Sequence, residues 1–279
     1  MTYDPVDKDD WEKLKDNMAV VASFNYKSYS NTFLQRRVQV RLHALKVPTY
    51  KQYMEILRSN SLERELLLKE LTIHVTNFFR DTSMWTALIN EVIPDMIDNK
   101  RKKGMNSINI WSAGCSSGEE PISLAICFIE ALGKSLKDFK IQIIGTDSDA
   151  QTISHAEAGE YFETQFKEIP KQYINKYFTK RFDADDNVVY TINPEVASII
   201  RYEQNDISSK FKLKNMDLIL CRNTVIYFDA PTKNKLYEDF YDCLNDDGFL
   251  ILGKTEILQG PARNKFLLSN THERIYLKI

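Results

Sequence analysis

The sequence predicts an α/β fold: a mostly parallel sheet with helices on both faces, preceded by an all-helical segment and interrupted by a small β insertion. Three observations predict it. Apolar runs at 108–113, 140–147, 216–223 and 248–254 alternate with helical patterns, as buried parallel strands do when helices connect them. No strand pattern precedes residue 108. Between about 170 and 203 the alternation gives way to short β-branched and aromatic runs separated by polar turns.

Each element follows from its local pattern. Residues 9–24 open with acids and carry apolar side chains at helical spacing, so they read as a first helix. A second spans 32–45, with Phe33, Val40 and Leu45 among its apolar positions. Pro48 and Thr49 start a third over 50–57, and the mixed acids and bases of 62–71 suit a half-exposed fourth. Residues 85–103 read as one helix bridging to the sheet. The strand at 108–113 then runs through a turn of small residues into a helix carrying Ile122, Leu124, Phe128 and Leu132. Within the insertion, 177–182, 187–192 and 197–203 read as three short strands, with a polar turn at 183–187. Residues 266–279 close the chain as a hairpin. These patterns place a helical domain at 1–82 and a sheet domain at 83–279, the β insertion lying at about 170–203.

Composition narrows the function classes. A formal net charge of -2 gives no case for binding nucleic acid or an anionic membrane. No apolar run approaches the roughly 20 residues of a spanning helix, so no direct membrane insertion is expected. The acidic start of the chain lacks a signal-peptide core, and a cytoplasmic protein is expected. Cys115, Cys127, Cys221 and Cys243 are far apart without a CxxC pair, which supports neither a metal site nor a disulfide framework.

The chemistry-bearing stretch is INIWSAGCSSGEEP, 108–121. Gly114, Ser116, Ser117 and Gly118 carry little or no side chain, so a ligand can press against their backbone. Glu119 and Glu120 follow at once and disfavour a phosphate there. Asp147 ends the next strand, where a carboxylate can accept hydrogen bonds from both hydroxyls of a ribose. A dinucleotide and S-adenosylmethionine are the two cofactor classes considered. The G-x-G-x-x-G spacing that places helix amides on a pyrophosphate is missing, whereas the ammonium of S-adenosylmethionine suits a carboxylate. The plainer alternative is a tight turn whose acids only favour the helix N-terminus. Two more elements stand out: LILCRNTVIYFD at 218–229, with Arg222 and Tyr227 after a buried strand, and TNFFRD at 76–81, with Arg80 behind two aromatic residues.

Together, T-x-F-F-R-D at 76–81, W-S-A-G-C-S-S-G-E-E-P at 111–121, G-T-D at 145–147, C-R-N-x-x-I-Y-F-D at 221–229 and G-F-L-I-L-G-K-T-E at 248–256 resemble the chemotaxis receptor methyltransferases, the CheR family. The motifs occur in that family's order and span nearly the whole chain. The resemblance implies a Rossmann-like S-adenosylmethionine-dependent methyltransferase sheet with an N-terminal all-helical domain and a small β subdomain. It implies methyl transfer from S-adenosylmethionine, leaving S-adenosylhomocysteine, to glutamate carboxylates on the cytoplasmic helices of chemoreceptors. It implies that His74, Thr76, Arg80, Gly114, Glu120, Asp147, Asn205, Asp206, Cys221 and Arg222 line the cofactor site, and that Arg80 and Tyr227 face the reacting centre. The chain departs from the family at His74, where asparagine is usual, at Ile122, where tyrosine is frequent, and at Asp206, where an apolar residue is common. A module that binds the cofactor without transfer, or a methyltransferase for another protein or a small molecule, is the alternative.

From Asn17 to Met54 the chain has no acid, while Lys27, Arg36, Arg37, Arg41, Lys46 and Lys51 are basic. Arg36, Arg37 and Arg41 are therefore expected to dock glutamate-rich receptor helices. A monomer is expected.

Overall fold

A computed structural model describes residues 8–21, 26–72, 76–209 and 211–279. The chain forms two compact units, Met1–Ile73 with Tyr227–Thr232, and His74–Ile226 with Lys233–Ile279. Among the described residues no helix is long and apolar enough to cross a membrane.

The first unit contains α1 (Lys8–Val21), α2 (Asn31–Leu45), α3 (Tyr50–Ser59) and α4 (Ser61–Leu71). The expected end of the first helix, beyond Val21, lies largely outside the described residues. Ser30, Thr49 and Asn60 cap the next three helices, each side chain accepting the N–H three residues on. Each such cap is worth about 1 kcal/mol. Trp11, Leu14 and Met18, then Leu34, Val38 and Leu42, recur at three- and four-residue spacing, and their stripes meet Tyr53, Leu57, Leu67 and Leu71 in a buried core. Residues 227–232 are tied to this unit by the backbone. Ser30 N–H donates to the Tyr227 carbonyl at 2.9 Å, and Asp229 N–H to that of Ser28 at 3.0 Å.

The second unit begins with α5 (Thr82–Ala87), a π turn (Leu88–Val92) and α6 (Ile93–Lys102). The single bridging helix expected at 85–103 is thus broken. Pro94 stands in the first turn of α6 and has no N–H to give the preceding turn, and the register slips to i→i+5 just ahead of it. There follow β1 (Ser107–Ala113), α7 (Glu119–Leu132), β2 (Lys140–Asp147), α8 (Ala150–Ala158), β3 (Glu160–Phe162), α9 (Lys171–Tyr177), β4 (Phe178–Phe182), β5 (Val188–Ile192), α10 (Pro194–Ala197), β6 (Ile200–Gln204) and β7 (Met216–Cys221). Helix α11 (Ala230–Cys243), β8 (Leu244–Leu252), β9 (Phe266–Asn270) and β10 (Ile275–Lys278) complete the chain.

The main sheet has the order β6-β2-β1-β7-β8-β10-β9. The first five strands pair in parallel, and β10 runs antiparallel to both β8 and β9. Helix α7 is buried almost all round because it covers the strands of this sheet, and its Leu124, Phe128 and Leu132 join Ile110, Ile143 and Leu218 in the core. The β insertion differs from its sequence-based outline. The small antiparallel sheet is β3-β5-β4 and begins at Glu160, ahead of 170. The third expected strand does not belong to it, for β6 pairs in parallel with β2 from Ile143↔Ile200 to Asp147↔Gln204.

The order of the main sheet positions the site. From β1 the chain winds outward to β2 and β6, then returns to β7 on the other side of β1. The carboxyl ends of β1 and β7 therefore flank a topological switch point, the place where open α/β sheets hold ligands.

Candidate active site

Beyond β1 the chain turns through Gly114–Gly118, held by Gly114 N–H and Cys115 N–H donating to the Thr146 carbonyl at 2.8 and 2.9 Å. The two glycines have φ of +81° and +93°, which glycine adopts without strain. On the side where a Cβ would stand, both are in close contact with protein. A Cβ on Gly114 would lie 2.5 Å from Thr224 Oγ1, and one on Gly118 2.7 Å from Tyr202 Oη. The two glycines thus also serve close packing of the turn.

The two acids after the turn divide in role. Glu119 is fully buried and is held by neutral donors: Ser117 Oγ at 2.8 Å, Gln165 Nε2 at 2.5 Å and the Thr76 hydroxyl. Thr76, expected at the cofactor, is directed to this carboxylate. Glu120 accepts from Ser112 Oγ at 2.8 Å and from Arg222 Nη1 at 3.4 Å, and its side chain keeps 15% of its exposure. Burial raises the pKa of Glu120 above the usual carboxylate range, against the pull of Arg222.

Asp147 ends β2. Its Oδ2 accepts Ser116 N–H at 3.0 Å and its Oδ1 accepts Asp149 N–H at 3.1 Å, so backbone on both sides fixes the carboxylate. Asn205 follows β6 and donates its N–H to the Asp147 carbonyl at 2.8 Å, while its buried Oδ1 has no partner. Asp206 is used locally, its Oδ1 accepting Ser208 N–H at 2.8 Å. Cys221 is fully buried at the end of β7, and burial pushes its thiol pKa well up, so only its backbone is left to meet a ligand.

Arg222 ties the site together. Its guanidinium reaches Glu120, donates to Asp81 Oδ2 at 2.6 Å and to the Arg80 carbonyl at 3.1 Å, and stacks over Trp85. Its buried Nε has no partner. The Arg80 carbonyl also accepts from Trp85 Nε1 at 2.9 Å. Phe79 and Asp81, on either side of Arg80, both have left-handed backbone, at φ of 55° and 62°. Non-glycine residues seldom adopt it, and adjacent cases mark a conformation enforced by its surroundings. Phe79 N–H donates to Ser123 Oγ at 3.1 Å and Asp81 N–H to Glu168 Oε2 at 3.0 Å, which supply that enforcement. Residues 161–168 brace the site further: Tyr161 Oη donates to the Ser117 carbonyl at 2.9 Å, and Phe78 N–H to that of Gln165 at 3.1 Å.

His74 lies outside the described residues. Tyr227 belongs to the helical unit, where its ring packs on Phe33 at 4.8 Å. Ile122 is a buried core residue. Of the docking arginines only Arg36 is exposed. Arg37 pairs with Glu70 at 3.0 Å, and Arg41 makes a two-pronged bond to buried Glu63 at 2.9 and 2.7 Å, so each of these two arginines already holds a carboxylate of its own unit. Glu256, unassigned in the sequence, is buried with four backbone N–H groups on its carboxylate. Its membership in the 248–256 motif was the one available signal.

Residues 74–275 match the family described as CheR methyltransferase, SAM binding domain, and residues 9–72 match CheR methyltransferase, all-alpha domain. The chain belongs to the CheR methyltransferase family. It is similar to the chemotaxis protein methyltransferase of Listeria innocua, with 32% identity over 250 residues covering 90% of each chain. Chemotaxis protein methyltransferase 2 of Vibrio cholerae is 33% identical over 229 residues, 80% of this chain and 77% of its own. The chemotaxis protein methyltransferase of Borreliella burgdorferi is 28% identical over 273 residues, 93% and 94%.

The cofactor of this CheR-family enzyme is S-adenosylmethionine, and the side chains fit it. One carboxylate in the first turn of α7, Glu120, and one at the end of β2, Asp147, suit an ammonium and a ribose diol. The orphaned Asn205 Oδ1 is a buried acceptor that a donor on the ligand would satisfy.

Proposed function

We propose that the enzyme methylates glutamate side chains on chemoreceptor cytoplasmic helices, with Glu120, Asp147 and Asn205 holding the cofactor and Arg80 and Tyr227 serving the reacting centre. The observation that carries the assignment of Arg80 is its fixation: left-handed residues on both sides and two donors on its own carbonyl. Such fixation is what alignment of two reacting groups requires.

A glutamate carboxylate, with a pKa of about 4.3, is already ionised at neutral pH and needs no general base. The bound cofactor supplies an activated methyl group. The chain's task is then to bring an oxygen to it in line and to exclude water. A planar guanidinium can hold a carboxylate through two parallel bonds, and a phenol can orient it through one. Arg36, with exposed Lys27, Lys46 and Lys51, gives the helical unit a basic surface suited to glutamate-rich helices. Those helices face the cytoplasm, where we place the enzyme as a monomer.

The test is incubation with methyl-labelled cofactor and receptor cytoplasmic fragments. Alkali-labile label on glutamate is expected; alkali-stable label, or none with any receptor fragment, overturns the assignment. Arg80→Ala should lower kcat by about 100-fold with the fold kept, the scale of loss expected when a reacting group is misplaced by an ångström. Near-normal turnover would remove Arg80 from the reacting centre.

A further inference from the structure

We propose that Glu256 is a positioning residue of the cofactor site, acting through the turn that carries Arg222 and Thr224. The proposal rests on the S-adenosylmethionine site described above.

Glu256 follows β8 and is only 4% exposed. Its Oε2 accepts the N–H of Asn223 at 3.0 Å and of Gly253 at 2.6 Å, and its Oε1 those of Thr224 at 3.1 Å and Ile226 at 3.2 Å. These partners are all neutral. Burying a carboxylate among neutral donors is unfavourable unless many bonds converge on it, and a turn that only had to close could do so with a hydroxyl. Two neighbouring features admit the carboxylate. Asn223 is left-handed at φ 57°, which turns successive N–H groups toward one side and makes an anion-binding concavity. Gly253 has no side chain, and a Cβ there would lie 2.6 Å from Glu256 Oε2 and 2.9 Å from Asn223 N.

What this concavity fixes leads to the cofactor. Thr224 is held with its hydroxyl and methyl against Gly114 of the turn after β1. The same hydroxyl donates to the Arg222 carbonyl at 3.1 Å. Arg222 in turn bonds Glu120, Asp81 and the Arg80 carbonyl. Both rims of the crevice between β1 and β7 are therefore set by one carboxylate that contacts neither Gly114 nor Glu120. A glutamine in its place puts an NH2 group against two of the four amides and leaves those donors unpaired.

The experiment measures S-adenosylhomocysteine binding to the full chain by calorimetry, with melting temperatures alongside. Wild type is titrated first; failure to bind would overturn the cofactor site and this proposal together. Glu256→Gln should bind at least tenfold more weakly. Met96→Ala, which truncates a buried side chain in α6, serves as the destabilised control and should keep wild-type affinity at a comparable drop in melting temperature. Glu256→Asp, which keeps the charge on a shorter stem, should recover part of the affinity. If Glu256→Gln binds within twofold of wild type, or Met96→Ala weakens binding equally, Glu256 supports the fold alone and the proposal falls.

Discussion

Arg41 in the helical unit and Arg222 in the sheet unit are both largely withdrawn from water and both face carboxylates, yet they are bonded differently. Arg41 meets Glu63 with two parallel bonds, and the remaining demand of that carboxylate is met by Tyr53 Oη at 2.8 Å. The Tyr53 hydroxyl is held protonated, its pKa pushed far up by burial and then by Glu63. Arg222 divides itself among Glu120, Asp81 and a carbonyl, keeps one bond as long as 3.4 Å and leaves Nε without a partner. A saturated buried pair is a strut. An undersaturated one beside a crevice is a place where a ligand completes the bonding.

Three measurements would break or sharpen this contrast. The largest effect is expected at the strut. Arg41→Ala strands the Glu63 charge in the core and should reduce stability by about 3–5 kcal/mol, read as a lower urea midpoint. A loss below about 1 kcal/mol would place the pair among ordinary surface ion pairs. Next is Arg222→Lys, because one ammonium cannot reproduce three divergent bonds. It should reduce kcat by about 100-fold, equivalent to roughly 2.7 kcal/mol, while moving the urea midpoint less than Arg41→Ala does. A mainly stability-based effect would make Arg222 a second strut.

The smallest effect is a pH dependence. Burial holds the pKa of Glu120 above the ordinary range, so as pH falls from neutrality this carboxylate takes up a proton earlier than a free glutamate would. Under the proposed assignment, protonation would remove the charge that holds the cofactor's ammonium. Affinity for S-adenosylhomocysteine should therefore decline on the acid side, by up to about tenfold per pH unit for one linked proton. Glu120→Gln should flatten that limb, and an unchanged slope would assign it to another group.

The same contrast explains what could be seen in the sequence. Glu120 and Asp147 stand out as candidates in the sequence because Asp147 ends an apolar strand and Glu120 opens the helix that follows the neighbouring strand, and strand ends in a parallel sheet converge. The four helices of the first unit were legible from their spacing and capping residues. The pairing of Arg41 was not legible, because its partner lies 22 residues away on another helix, and a cation four residues from another reads alike whether it faces solvent or a buried acid. Glu256 was marked only by its membership in the 248–256 motif and not by its bonding, since three of its four donors come from a turn some 30 residues earlier in the chain. The apolar character of β6 was evident, but not its partner, because an edge strand of a large sheet and a strand of a small one share a composition.

The small sheet has a consequence for recombination. Its chain departs after α8 and returns beside its point of departure, with Ile192 N–H donating to the Gly159 carbonyl at 3.0 Å. That geometry makes an exchangeable cassette, the arrangement through which related chains can trade surface pieces without rebuilding their frames. The bonds to Ser117, Glu119 and Asp81, however, all come from residues 161–168. A graft cut at β3 would carry off the partners of the cofactor loop, whereas one spliced after Glu168 would change the surface and leave the catalytic frame to its original owner.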